Sequence, residues 1–187
     1  MQIRELELKD IPAVKVFTDE AIGKNYFSVA ELEENFKKSS SNGVMCSFVL
    51  ADGEKIFGLR LAYPPGLWTK GKGKKLRSDL WQVPQNKAAY FQSLFLADSV
   101  QGQGWGPKLS AAAIAAFKKL GAGAIVTHAW KESPNNSSIR YLTKQGFQSI
   151  ATHPEYWIDV DYECVRDGKP CRCTAEEMIL YLSERNP

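Results

Sequence analysis

The stretch Leu94-Phe-Leu-Ala-Asp-Ser-Val-Gln101-Gly-Gln-Gly104-Trp-Gly106-Pro107 decides how this chain folds. It ends an almost unbroken apolar run, Ala88–Leu96, in which only Gln92 and Ser93 are polar. Such a run predicts a strand buried on both faces in the middle of a sheet. Three glycines spaced by two follow it, and a helix is predicted over 107–120, ended by Gly121. Glycine adopts positive φ and lets a ligand approach the backbone closely. Pro107 pre-sets the first helical φ, and its missing N–H would have been unpaired anyway. The N–H groups from Gly102 to Gly106 would then converge on the positive end of the helix dipole, worth roughly half a charge. That is an anion cradle suited to phosphate.

A bare Gly-x-Gly-x-Gly also makes an ordinary turn, and two other phosphate loops can be compared with it. A P-loop needs Gly-Lys-Ser/Thr before the helix, where this chain has Trp105-Gly-Pro-Lys108. The dinucleotide fingerprint follows a first strand and has an acidic residue about 20 positions on. Here the loop follows a fourth strand, and residues 121–126 supply no acid. Neither alternative fits.

Upstream, residues 3–8 alternate apolar and charged residues and predict a half-buried strand. Asp10 is expected to cap a helix with Pro12 in its first turn. A second helix is expected over Val29–Lys38. Residues 44–51 and 56–63 flank Asp52-Gly53-Glu54 as a hairpin. Residues 67–86 are polar and basic without clear periodicity and are expected to form an insertion or lid. Downstream, 124–129 predicts another buried strand, and Asn135 or Asn136 is expected to cap a helix that stops at Gly146. The remainder predicts strands, with a turn at Arg166-Asp-Gly-Lys169 and a final strand over 177–182. This order predicts a mixed α/β or α+β sheet protein rather than a repeated βαβ barrel.

Composition agrees with that class. The 187 residues are 44% hydrophobic and 24% charged, which excludes a disordered chain, collagen-like repeats and a coiled coil. No apolar run approaches the roughly 20 residues needed to cross a bilayer. Residues 1–7 lack the features of a secretory signal, so a cytoplasmic location is expected. The net charge of +3 gives no reason to expect a nucleic-acid or membrane partner.

At this point the sequence resembles the GNAT superfamily of acetyl-CoA-dependent N-acetyltransferases. The family's phosphate loop, Arg/Gln-x-x-Gly-x-Gly/Ala, is matched by Gln101-Gly-Gln-Gly104-Trp-Gly106 between strand and helix. Its Asn, followed about ten residues later by Gly-Phe across a helix, is matched by Asn135 and Gly146-Phe147. The resemblance implies one domain over 1–187, with a mixed, mostly antiparallel sheet of about seven strands flanked by helices. It implies that the fourth and fifth strands splay and that the pantetheine arm lies in the gap beside Phe95, Leu96 and Ala97. Leu96 would be its main-chain partner. The pyrophosphate would sit on Gln101, Gly102, Gln103, Gly104, Trp105 and Gly106, while Asn135, Ser138 and Tyr141 would flank the cofactor's other side.

The implied reaction moves acetyl from acetyl-CoA to a primary amine, on a small molecule or a peptide, by direct attack and without a metal. The alternative is a non-catalytic acyl-CoA-binding or regulatory module of the same fold. A homodimer, common in such enzymes, is allowed. An alkyl ammonium with a pKa of roughly 10 must lose a proton before it can attack. Family members commonly use a tyrosine four residues before the Gly of Gly-Phe to protonate the departing thiolate. Leu142 holds that position here; Tyr141, one residue earlier and about 100° around the helix, is the candidate acid. The family's strand glutamate has no counterpart between 88 and 97, leaving His128, or a water held by Gln92 or Ser93, as candidate base.

Two further features have bland readings. Five positive charges in 70–77 are expected to form a solvated loop. Cys164, Cys171 and Cys173 lack a histidine or fourth cysteine at ligand spacing, so reduced thiols without a metal are expected, with Cys164 facing Cys171 across a hairpin.

Overall fold

The computed structural model describes residues 1–68 and 75–182. Its main elements are β1 (Gln2–Glu5), α1 (Ile11–Ala21), α2 (Val29–Lys38), β2 (Phe48–Asp52), β3 (Lys55–Tyr63), β4 (Ala88–Leu96) and α3 (Trp105–Lys119). After α3 come β5 (Ala124–Trp130), α4 (Ser137–Lys144), β6 (Gln148–His153) and β7 (Ala175–Tyr181). These strands form one seven-stranded sheet in the order β1-β2-β3-β4-β5-β7-β6. Only β4 and β5 pair in parallel. Helices α1 and α2 and the link between them bury apolar residues on one face, with Val14, Phe17, Phe27 and Leu32 in one core with Leu59 and Tyr90. On the other face, Ala113, Ala116 and Phe117 of α3 and Leu142 of α4 pack on Phe91 and Ile125. The mixed, mostly antiparallel sheet expected from the sequence is present. No helix among the described residues is long and apolar enough to cross a membrane.

Local chemistry explains where the boundaries fall. A capping box starts α2: Glu31 N–H donates to Ser28 Oγ (3.2 Å), and Ser28 N–H donates to the Glu31 carboxylate (2.8 Å). The first strand stops at Glu5, short of the expected 3–8. There the Asp10 carboxylate accepts the Glu7 N–H at 2.9 Å and two Arg4 guanidinium bonds at 2.6 and 2.8 Å. The same bonds hold Asp10 away from α1, so its side chain does not cap that helix.

Other boundaries move as well. Residues 40–45 form a separate two-stranded hairpin, so β2 begins at Phe48 rather than at 44. Helix α3 starts at Trp105, two residues before the expected Pro107. Asn135 and Asn136 both sit in the left-handed region and neither caps α4; Ser133 Oγ accepts the Ser138 N–H at 3.0 Å instead. Residues 154–174 carry no strand, although strands were expected throughout the C-terminal part. Within them the chain turns at 164–168, where Cys164 bonds Gly168 in both directions (2.8 and 2.9 Å). The final strand begins at Ala175, two residues before the expected 177.

The feature that positions the site is a bulge at Gln92. Along β3, Leu61 faces Ser93 and Ala62 faces Phe91, so Gln92 is one residue too many. Before it, Tyr90 points toward α1 and α2 and Phe91 toward α3. Beyond it the parity inverts: Phe95 joins the α1 side and Leu94 and Leu96 join the α3 side. The parallel ladder with β5 ends one residue earlier, at Phe91 and Thr127. From there β4 keeps β3 but loses β5, and the sheet forks.

The described part of the expected 67–86 insertion is mostly exposed and is anchored to the core by two tryptophans. Trp68 and Trp81 are buried, and Trp68 donates its Nε1–H to Ala88 O at 2.6 Å while stacking on Tyr90. The expected basic run falls partly on 70–74, which lie outside the described residues; of the rest, Arg77 pairs with Asp79 at 2.7 Å.

Candidate active site

The glycine loop closes the α3 arm of the fork. Gly102 and Gly104 hold φ of 73° and 81°. The amides of Gly102, Gln103 and Gly104 donate to no acceptor among the described residues, and those of Trp105 and Gly106 open α3, where helical acceptors are lacking by construction. Gln101 turns its side chain inward instead, onto Leu96 O (3.1 Å) and Asp98 (2.8 Å), and its own N–H is taken by Asp98 O. Gln103 likewise braces Ser99 O at 2.9 Å. Both glutamines therefore shape the loop, and the free donors are the glycine-rich amides.

Along β4 the hydrogen-bond pattern separates the three expected arm contacts. Ala97 N–H donates to Phe57 O at 2.8 Å and Ala97 O accepts from Val100, so Ala97 has no main-chain group to offer. By antiparallel alternation, Phe95 bonds Leu59 and the polar groups of Leu94 and Leu96 point away from β3, into the gap. Two buried polar atoms without a hydrogen-bond partner among the described residues lie at and just past the last rung, Gln92 Oε1 and Trp130 Nε1, while His128 Nε2 is 3.6 Å from Glu177 Oε2.

On the α1 side the fork opens into a pocket of about 90 Å³. Tyr26, Phe95, Trp130, Trp157 and Tyr162 line it together with Cys164, and no carboxylate among the described residues does.

A sequence profile of the acetyltransferase (GNAT) family matches residues 17–147, about 70% of the chain. The chain belongs to the GNAT acetyltransferase family. Solved structures of similar fold span nearly its whole length. YncA, described as a putative acetyltransferase from Salmonella typhimurium with its cofactor acetyl-CoA, superposes with a TM-score of 0.68 at 18% identity, covering 100% of this chain and 96% of that one. The ribosomal-protein-S18-alanine N-acetyltransferase from Escherichia coli gives 0.65 at 16%, covering 100% and 97%. Naa20 from Chaetomium thermophilum, in complex with a bisubstrate analogue, gives 0.68 at 15%, covering 97% and 86%. No curated protein sequence matches the chain.

Within this GNAT fold, Tyr141 lies against α3. Its hydroxyl is 2.7 Å from Ser110 Oγ and 3.1 Å from Gly106 O. Ser110 also accepts a bond from Arg60, whose buried guanidinium lies 4.0 Å over the Phe91 ring and meets no carboxylate among the described residues. Burial pushes that guanidinium down to about 10, so it stays charged at neutral pH. Nothing in the local sequence marks Arg60 as polar core; its neighbours Leu59 and Leu61 are ordinary strand residues. Arg60, Ser110 and Tyr141 tie β3 and α4 to the first turns of α3, beneath the phosphate loop.

His128 does not reach the pocket. Its side chain is 2% exposed, with Nδ1 2.8 Å from Tyr90 Oη and the ring stacked on Tyr156. Glu177 of β7 lies beyond it, fully buried, and accepts from the Arg77 N–H (3.0 Å), Trp81 Nε1–H (2.6 Å) and His153 Nε2 (2.7 Å). Sequence inspection missed Glu177, because its partners lie 24 to 100 positions away. Burial raises the Glu177 carboxyl, but the His128, Trp81 and His153 contacts outweigh it and bring it from 4.5 to about 2. Burial lowers His128 from its ordinary 6.5.

Both shifts have the same sign for stability. A depressed carboxylate contributes fully above its unfolded value and loses that contribution as pH falls toward the folded one; a depressed histidine also costs stability on acidification. The urea midpoint should hold near neutrality and fall below pH 6.5, more steeply between 4.5 and about 2. Glu177→Gln should remove the second, steeper part, which denaturation at several pH values measures.

Cys164, Cys171 and Cys173 are buried free thiols, and they converge with Asp167. The backbone partner of Cys164 is Gly168 rather than Cys171, because the chain turns back sooner than expected, and Cys164 Sγ lies 3.9 Å from Cys173 Sγ.

Proposed function

We propose that the protein transfers acetyl from acetyl-CoA to a primary amine carried on an apolar or aromatic body. The observation that carries this reading is the fork between β4 and β5, with free amides at 102–104 on one side and an aromatic pocket on the other. The amides hold the diphosphate, and the Leu94 and Leu96 backbone lines the arm. The amine, deprotonated, enters from the pocket and attacks the thioester carbonyl. A C–N bond forms, the C–S bond breaks, and CoA leaves as a thiolate that takes up a proton. The Leu96 N–H is the donor suited to the tetrahedral oxyanion. Aromatic rings favour an approaching cation as well as apolar bulk, which supports an amine with an aromatic or aliphatic substituent.

Tyr141 acts in this reading as a brace, since its hydroxyl is bonded to α3. Tyr141→Phe should weaken acetyl-CoA binding a few-fold and change turnover by less than about threefold, as two neutral hydrogen bonds would suggest. A drop of a hundredfold in turnover with unchanged cofactor affinity would instead make it the acid.

A non-catalytic acyl-CoA-binding module is the second reading, favoured by the absence of a carboxylate from the pocket lining among the described residues. Free-thiol release from acetyl-CoA across a panel of amines decides between them. Turnover should be fastest with aromatic and aliphatic amines and slow with acidic ones. Tight acetyl-CoA binding with no release above the blank for any amine would leave the binding module.

A further inference from the structure

The segment 154–174 crosses the pocket's outer wall with no helix or strand of its own, yet it buries Tyr156, Tyr162 and three cysteines. A loop of that length inside a compact domain ordinarily needs something to fix it. We infer that Cys164, Asp167, Cys171 and Cys173 form a structural zinc site that staples this wall. Their ligand atoms, three sulfurs and a carboxylate oxygen, all lie within 4.8 Å of one another. Zinc–sulfur bonds of about 2.3 Å at tetrahedral angles put two sulfurs roughly 3.8 Å apart. Cys164 Sγ and Cys173 Sγ are 3.9 Å apart, and Asp167 Oδ2 is 3.3 Å from Cys173 Sγ. The sulfur separation is the edge of such a tetrahedron and almost twice a disulfide bond of about 2.05 Å.

The local sequence builds that geometry. In Cys164-Val-Arg-Asp167-Gly168-Lys-Pro-Cys171-Arg-Cys173, Gly168 takes a φ of 70° and closes the turn back onto Cys164. Two ligands therefore come from the turn and two from the strand-like return.

The surroundings orient the donors as outer-shell groups do. Tyr162 donates to Cys171 Sγ (3.1 Å), Arg166 to Cys173 Sγ (3.9 Å), and the Arg172 N–H to Asp167 Oδ2 (3.1 Å). Binding releases the three thiol protons to solvent and leaves three thiolates and a carboxylate around a divalent cation. Arg166 and Arg172 then face the excess negative charge. Sulfur-rich tetrahedral donors select zinc over calcium or magnesium, and four protein ligands leave no open position for catalysis. The site is thus a staple: Cys164 and Cys173 also line the pocket, and Cys173 O accepts the Tyr156 N–H at 3.0 Å.

The test is elemental analysis of the full chain purified in a reducing buffer without chelator, joined to cobalt exchange. About one zinc per chain is expected, and cobalt should produce intense thiolate charge-transfer absorption. A strong chelator should lower the melting temperature by about 5 °C or more, and added zinc should restore it. Asp167 sits at the surface, so Asp167→Ala should fold, with a circular dichroism spectrum like the parent's, while losing zinc to chelator at least tenfold more readily. Asp167→Cys should hold zinc at least as tightly, and Cys46→Ser should leave binding unchanged. Folded, reduced protein that neither carries zinc nor takes up zinc or cobalt would overturn the inference. So would a disulfide between any two of the three cysteines in the purified chain, or metal whose removal leaves the melting curve unmoved.

Discussion

Replacing Gly104 with valine is expected to lower acetyl-CoA affinity by at least a hundredfold while leaving the fold intact. Gly104 sits at φ 81° immediately before α3, a conformation that a β-branched residue adopts only under strain. The side chain itself would find room, because an added Cβ meets nothing within 4 Å. The cost therefore falls on the backbone, and the loop relieves it by rotating the peptide groups that flank position 104. Those are the amides that hold the diphosphate in the proposed reaction. Each hydrogen bond to a charged group is worth roughly 1.5 to 3 kcal/mol, so two misdirected donors forfeit about 3 to 6 kcal/mol. That exceeds the roughly 2.7 kcal/mol that corresponds to a hundredfold in affinity. Calorimetric titration with acetyl-CoA measures it, and a melting temperature within a few degrees of the parent shows that the loop alone has changed. Parent-like affinity in the valine variant would remove the loop from the cofactor site.

The largest effect on stability is expected at Glu177. Its carboxylate has no exposure and joins three separate pieces of chain: the Arg77–Trp81 segment, β6 through His153, and β7 itself. Glu177→Ala leaves the buried Trp81 indole N–H without an acceptor, frees the Arg77 amide, and opens a hole beside His128. Breaking a buried network by removing one partner costs about 3 to 5 kcal/mol. Chemical denaturation should show a loss of that order, and a loss below about 1 kcal/mol would mean that water satisfies these donors instead. Glu177→Gln, which keeps an acceptor oxygen, should lose less than alanine does. Because Trp81 stacks near Trp68 and thence on Tyr90, quenching or exposure of indole fluorescence should accompany the change.

What could be read in advance depended on whether the information was local. The almost unbroken apolar run at 88–96 and the pattern over 29–38 predicted strand β4 and helix α2 with the limits found, since each is fixed by residues a few positions apart. The loop at 101–106 was legible for the same reason: strand, glycines and helix are contiguous. The separate roles of Phe95, Leu96 and Ala97 were not, because the hydrogen-bond parity that distinguishes them is set by pairing with β3. Ser133 took the cap expected of Asn135 or Asn136 because two successive left-handed residues turn their side chains outward. The Glu177 network and the Arg60–Ser110–Tyr141 brace join residues 24 to 100 positions apart, beyond what pattern along one segment can carry. Asp167 was near at hand in sequence and was overlooked for a chemical reason, as an oxygen donor among sulfurs.

The extra residue at position 92 turns β4 into a ruler. From Gln92 to the end of the strand at Leu96 is four steps, about 13 Å at the usual rise of an extended chain. In the proposed reaction that span sets how far the place where bonds change lies from the place where phosphate is gripped. Because it is fixed by counting rather than by any one side chain, shifting the surplus residue two places along would lengthen or shorten the reach by about 7 Å. A carrier of different arm length could thus be accommodated by re-spacing one strand, with the glycine loop and the aromatic chamber left as they are.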